Sequence, residues 1–143
     1  MTERHNRFVV LRHVVGPKSD RTDQTHFDWM FEVEGELRTW ATVPVADFAQ
    51  SFKMDADRLP NHRIEYLDFE GDVSGDRGSV QRVLRGQVHV TDDDSRRFTA
   101  ELSWEQEDQV RRASVAIYRS LLEDRLRVDD SRDVWRLRFS LGR

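Results

Sequence analysis

THFDWMFEVEGELRTWA occupies residues 25–41. It reads as two β-strands joined by a tight turn. Phe27, Trp29, Phe31 and Val33 alternate with other side chains, Glu34-Gly35-Glu36 supplies the turn, and Leu37 to Thr42 runs back as the second strand. A hairpin of this kind sets the two strands antiparallel. Its first strand begins unusually. His26 and Asp28 are two residues apart at the head of an apolar run, and side chains at i and i+2 of a strand project from one face. The pair is therefore either two polar residues on the wet side of a sheet or two ligands aimed at one point.

The same strand-and-turn rhythm continues outward. Residues 7–15, RFVVLRHVV, form a β-branched strand, and 16–24, GPKSDRTDQ, form a polar loop. Residues 44–62 read as irregular, with one helical turn and a stop at Pro60. The stretch 63–73, RIEYLDFEGDV, alternates apolar residues with acids. Residues 74–105 hold Gly75, Gly78 and Gly86 and then an acidic turn at 92–94, and read as a series of strands separated by turns. In 110–126, Val110, Ala113, Ile117 and Leu121 fit a helical stripe, while Ala113, Val115 and Ile117 fit strand alternation equally well. Residues 134–141, VWRLRFSL, are a strand. Frequent strands with no repeating βα unit predict an all-β fold, a compact antiparallel β-barrel with little helix. With 143 residues and no linker-like tract, the chain is expected to be one domain spanning 1–143.

Composition narrows the function. Without cysteine there is no disulfide framework, thiolate metal site or cysteine nucleophile. No apolar run approaches the roughly 20 residues that cross a bilayer, and the N-terminus has no signal-peptide pattern, so the expectation is a cytoplasmic protein with no membrane partner. The formal net charge is −4 although 35% of residues are charged. That balance argues against nonspecific nucleic-acid binding over the whole surface and leaves room for a local arginine cluster. All but two of the 23 basic residues are arginine, the side chain suited to bidentate phosphate contact.

Two clusters carry candidate chemistry. His13 ends the first strand, and His26 and Asp28 open the second. Two imidazoles and a carboxylate are a common ligand set for Mn²⁺, Fe²⁺ or Zn²⁺ with open positions. Spacing alone leaves the matter open, because H-x-D is short and a half-exposed polar pair is the commoner outcome. The second cluster is His62 and Tyr66, four residues apart in NHRIEY, which could act as general acid and proton donor on a metal-bound phosphate or could be a turn histidine and a core-edge tyrosine. SGDRGSVQR, residues 74–82, has glycines and two arginines but neither the P-loop pattern nor a following helix.

Taken in order, RFVVLRH, HFDWMFEVEGELRTWA, LPNHRIEYLDFEG and GSV resemble the 3′-phosphoesterase domain of bacterial DNA ligase D, most closely its short stand-alone versions. The resemblance covers roughly residues 7–86. It implies a β-barrel hydrolase with a Mn²⁺-type site, Zn²⁺ being an alternative, that removes 3′ ribonucleotides or 3′ phosphates in DNA repair. It implies that His13, His26 and Asp28 are metal ligands and that His62 and Tyr66 work on the scissile phosphate. The implied partners are nucleic-acid 3′ ends and DNA-repair proteins, with the chain a monomer. The sequence departs from the ligase-fused members where they carry Arg (here Met30), Gln (here Leu11), a lysine after the Trp-Ala pair (absent from WATVPVAD) and a second Arg (Met54 stands near its place). The gap from His13 to His26 is also longer. A retained metal cage with a lost or rebuilt phosphate clamp is the expectation, with Arg63, Arg77 and Arg82 as candidate replacements. Two other functions fit the same residues: a non-catalytic metal- or phosphate-binding module for DNA ends or a repair partner, and a phosphoesterase acting on a small phosphoester.

Overall fold

The computed structural model describes residues 6–15, 25–73, 78–119 and 134–142. Nine strands fill most of them: β1 (Asn6–Val15), β2 (His26–Val33), β3 (Glu36–Thr42), β4 (Phe52–Arg63), β5 (Gly71–Asp72), β6 (Gly78–Asp93), β7 (Arg97–Gln106), β8 (Gln109–Arg119) and β9 (Trp135–Leu141). They form one antiparallel sheet in the order β1-β2-β3-β4-β9-β8-β7-β6-β5. β1 also pairs with β6 along its whole length, so the sheet closes in a ring. The all-β architecture expected from the hairpin pattern is the one observed. The hairpin turns where expected, with Glu34 and Gly35 both at positive φ (52° and 81°), the backbone that a two-residue turn between twisted strands requires.

Strand alternation builds the interior. Phe27, Trp29 and Phe31 of β2 point inward with Phe8 and Val10, Trp40, Phe98, Leu102 and Trp104, Val115 and Ile117, and Trp135, Leu137 and Phe139. The loop after β3 folds back and sets Phe48 against Phe27, Trp29, Phe52 and Phe139 at ring-centroid distances of 5.7 to 6.3 Å. Aromatic rings bury large areas apiece, and their tilted packing adds to the stabilisation.

β2 is buried on both faces, which a simple wet-sided sheet does not explain. A second apolar cluster lies outside the ring: Val9, Leu11, Met30, Leu37, Leu67 and Val80, with Ile64, Tyr66 and Val73 packed against it. Residues 64–73 carry Ile64, Leu67 and Val73 across the outer face of β1, β2 and β3. This cover matters because it turns the outward side of β2 into a second interior.

Three local readings change. Residues 52–63 are a twelve-residue strand, not an irregular segment. Their inward positions, Phe52, Met54 and Ala56, alternate with Lys53, Asp55 and Asp57, whose charges masked the strand pattern. Pro60 does not end it. The β3–β4 register shifts between Leu37 and Thr39, so Pro60 sits in a β-bulge, where its missing N–H costs no ladder bond. Within the alternating stretch 63–73, residues 64–67 form a 3₁₀ turn. Residues 109–119 resolve as strand because Ala113, Val115 and Ile117 face the core; 120–126 lie outside the described residues. No helix among the described residues is long and apolar enough to cross a membrane.

Candidate metal centre

The β1–β2 register places His13 directly opposite His26 and Leu11 opposite Asp28. Directly opposed side chains on an antiparallel pair have Cβ atoms about 5 Å apart, and the two-residue strand period brings Asp28 to the same face as His26. The result is compact. The imidazoles of His13 and His26 are 4.8 Å apart between centroids, tilted at 62°. His26 Nε2 lies 3.3 Å from Asp28 Oδ1, and His13 Nδ1 lies 3.7 Å from Asp28 Oδ2. One ligand atom from each of the three side chains falls within 4.8 Å of the other two.

Burial decides between the two readings of this pair. His13 and His26 are each 7% exposed and Asp28 is 2% exposed, so they do not lie on a wet strand face. Leu11, Met30 and Val80 surround them in the outer cluster. A carboxylate taken out of water is costly unless it is paired or coordinates a cation. Two imidazole nitrogens and a carboxylate, converging in an apolar surround, form a group that could hold a metal ion with positions left for other ligands.

His62 reaches the same side of the sheet through the bulge. Thr39 opposes Leu59, but Leu37 opposes His62, so one extra residue is inserted in β4 between the two pairs. Without it Asn61 would oppose Leu37 and His62 would face the other way, since a one-residue slip exchanges the faces of a strand. Leu37 belongs to the outer cluster, so His62 shares the outer face with His13, His26 and Asp28. Tyr66, on the 3₁₀ turn, stands edge-on to His62 with centroids 5.4 Å apart and packs against the outer cluster that contains Leu11 and Met30. His62 Nδ1 is 3.0 Å from the Pro60 carbonyl oxygen. A carbonyl can only accept, so this bond puts a proton on Nδ1 and makes Nε2 the nitrogen that takes up or releases a proton.

The three arginines fare differently. Arg82 opposes Leu11 on β6, so Arg82, Leu11 and Asp28 form one row across three strands on the outer face. At about 4.8 Å per strand, the Cα atoms of Arg82 and Asp28 are about 10 Å apart. Its backbone N–H donates to Glu70 Oε2 at 2.9 Å, and its guanidinium is 3.8 Å from Glu70 Oε1. Arg63 follows His62 on the strand, is exposed, and opposes Glu36, on the face turned away from His62. Arg77 lies outside the described residues. Met30, where the ligase-fused domains carry Arg, is 1% exposed and part of the outer apolar cluster, and Met54 packs against the ring interior. Glu70 had no signal in the sequence, because its partner is twelve positions away across the β5–β6 pairing.

No protein-family model matches the chain, and no curated protein matches it either. The resemblance to 3′-phosphoesterase domains therefore rests on the motifs quoted above.

Proposed function

We propose that the chain is a divalent-metal-dependent phosphoesterase that acts on the 3′ ends of nucleic-acid strands, removing a terminal ribonucleotide or phosphate during DNA end repair. The observation that supports this is the buried His13–His26–Asp28 group sharing one face of the sheet with His62 and Tyr66. Mn²⁺ is the proposed ion, with Zn²⁺ the alternative. Held by those three residues, it would supply positive charge against a phosphoryl oxygen.

The protein's own groups then have distinct tasks. His13 and His26 would hold the cation through neutral nitrogens, with Asp28 supplying the one negative charge. His62 exchanges a proton through Nε2, with Nδ1 tethered to the Pro60 carbonyl. Tyr66, braced edge-on by His62 and Phe69, presents a hydroxyl that donates to the leaving oxygen. Arg82, in the same cross-strand row as Asp28, would supply the remaining positive charge once released from Glu70.

The test is hydrolysis of a primer–template bearing a 3′ ribonucleotide or a 3′ phosphate, with and without Mn²⁺, for the wild type, His26→Ala and His62→Ala. Metal-dependent turnover abolished by His26→Ala and strongly reduced by His62→Ala supports the proposal. Absence of turnover with Mn²⁺, Zn²⁺, Co²⁺ and Mg²⁺ overturns it. A second reading, a module that binds DNA ends without cutting them, is favoured by one observation: Arg82 is already engaged by Glu70 while Met30 fills the neighbouring clamp position. It predicts end binding without turnover.

A further inference from the structure

The interior face of the ring holds a second cluster of charge. Arg38, Arg58 and Asp93 all point inward near the β2–β3 turn: Arg38 alternates in phase with Trp40, Arg58 opposes Trp40, and Asp93 opposes Phe98. Arg38 Nε donates to Asp93 Oδ2 at 3.1 Å. That commits the one carboxylate of the three to Arg38. Arg58 instead lies on two indoles, its Cζ 4.5 Å from the Trp40 ring centroid and 5.6 Å from that of Trp135. No carboxylate among the described residues comes within ion-pair distance of it, and Asp93 acts on it only as a nearby charge.

Among the described residues, two more donors beside Arg58 lack an acceptor, as does the more distant indole of Trp104. The indole N–H groups of Trp40 and Trp135, the two rings that carry Arg58, are buried without a hydrogen-bond partner among the described residues. Buried donors left unmade carry a penalty that natural interiors avoid. Burial lowers the pKa of Arg58, Asp93 opposes that shift and Arg38 reinforces it. A partly buried guanidinium is therefore held against its own desolvation, beside a second cation, with one shared acid.

We infer that this end of the ring is an anion-binding site for a phosphate-type oxyanion, with Arg58 as its principal contact and Arg38 beside it. A phosphate offers several strong acceptor oxygens to the two guanidinium groups, and the planar fork of Arg58 meets two of them at once, close enough to the Trp40 and Trp135 rings for their signals to report it. The two arginines and Asp93 together carry one net positive charge, which an anion neutralises. The site is distinct from the metal centre. Its side chains point into the ring, whereas His13, His26 and Asp28 project from the outer face, on the other side of the sheet. It does not depend on the function proposed above.

Titration with inorganic phosphate, followed by the ¹H–¹⁵N signals of the tryptophan indoles, tests it. At constant ionic strength, phosphate should shift the Trp40 and Trp135 signals saturably. It should leave Trp29 in place, because that indole already donates to Thr42 Oγ1 at 3.0 Å. Arg58→Gln should weaken binding by roughly tenfold or more, the worth of a charge-assisted hydrogen bond. Arg38→Gln should weaken it by a smaller factor while leaving Arg58 and its rings in place. The response should persist in His26→Ala, which separates it from phosphate drawn to the metal centre. Adenosine 5′-monophosphate and acetate, run in parallel, distinguish a monoester ligand from free phosphate and from any carboxylate. Equal shifts with chloride, no saturable shift of the two indoles, or an unchanged response in Arg58→Gln would overturn the inference and leave Arg58 as a cover for the two rings.

Discussion

Replacing Asp28 with Asn isolates the metal centre from the fold around it. The substitution preserves volume and planarity and removes the one negative charge among three side chains whose ligand atoms already lie within 4.8 Å of one another. A binding group so nearly assembled needs little rearrangement, so the affinity of a cation appears almost directly as stability. A ligand at a hundred times its Kd stabilises the folded state by about 2.7 kcal/mol. For a domain of this size, 1 kcal/mol moves Tm by about 4 °C, which gives a rise of roughly 11 °C. If Asp28→Asn weakens binding a hundredfold, the same metal concentration equals the new Kd, and the stabilisation falls to about 0.4 kcal/mol, or roughly 2 °C. The assay is thermal unfolding of each variant with chelator and then with Mn²⁺, Zn²⁺, Co²⁺ or Fe²⁺. Comparing each variant with its own chelated state cancels any change in metal-free stability. A wild type unmoved by all four ions, or an Asp28→Asn protein showing the full wild-type rise, would refute the assignment of these residues as ligands.

Three other outcomes follow from the packing. Phe139 is fully buried and stacks on Phe52 at 4.8 Å while contacting Trp29, Phe48 and Trp104, so Phe139→Ala should cost about 3–5 kcal/mol in denaturant unfolding. Gly86 sits where β6 passes between β1 and β7. A Cβ there would press into the Ser103 carbonyl oxygen and come within 2.9 Å of Trp104 Cβ and 3.0 Å of Phe8 Cε1. Gly86→Ala should therefore cost about 3 kcal/mol, the upper part of the overpacking range, read in the same unfolding experiment. Asp94 Oδ1 accepts the backbone N–H groups of Arg96 and Arg97 at 2.8 and 2.9 Å. These bonds, that of Arg96 foremost, hold its carboxyl below the ordinary carboxylate value. A depressed pKa contributes stability above the unfolded value and loses it as the pH falls through the folded one. Asp94→Ala should thus lower Tm at pH 7, and the gap should close as the pH falls below about 4.

What was legible in the sequence followed local periodicity. THFDWMFEVEGELRTWA declared a hairpin because the two-residue alternation of Phe27, Trp29, Phe31 and Val33 and the turn at Glu34-Gly35 are both short-range features. The same alternation put His26 and Asp28 on one face. The class of fold followed from repeating such signals along the chain. β4 escaped notice for an equally local reason, since Lys53, Asp55 and Asp57 occupy the exposed positions and Pro60 looks like a terminator.

The rest depended on which strand lies beside which, and nothing local encodes that. Only the β1–β2 register sets His13 against His26, thirteen positions further along the chain and beyond the reach of any short motif. Only the bulge in β4, an insertion counted against β3, turns His62 rather than Asn61 to the outer face. The outer apolar cluster, in which residues 64–73 pack against β1, β2 and β3, makes the outward side of β2 an interior, and His26 and Asp28 are buried on that side rather than left in water. Arg58 gave no sign of its place between two indoles, because Trp40 comes to it by cross-strand pairing and Trp135 through the sheet neighbour β9. Periodicity is a property of neighbours along the chain and is written in it; convergence is a property of neighbours across the sheet and exists only once the ring has closed.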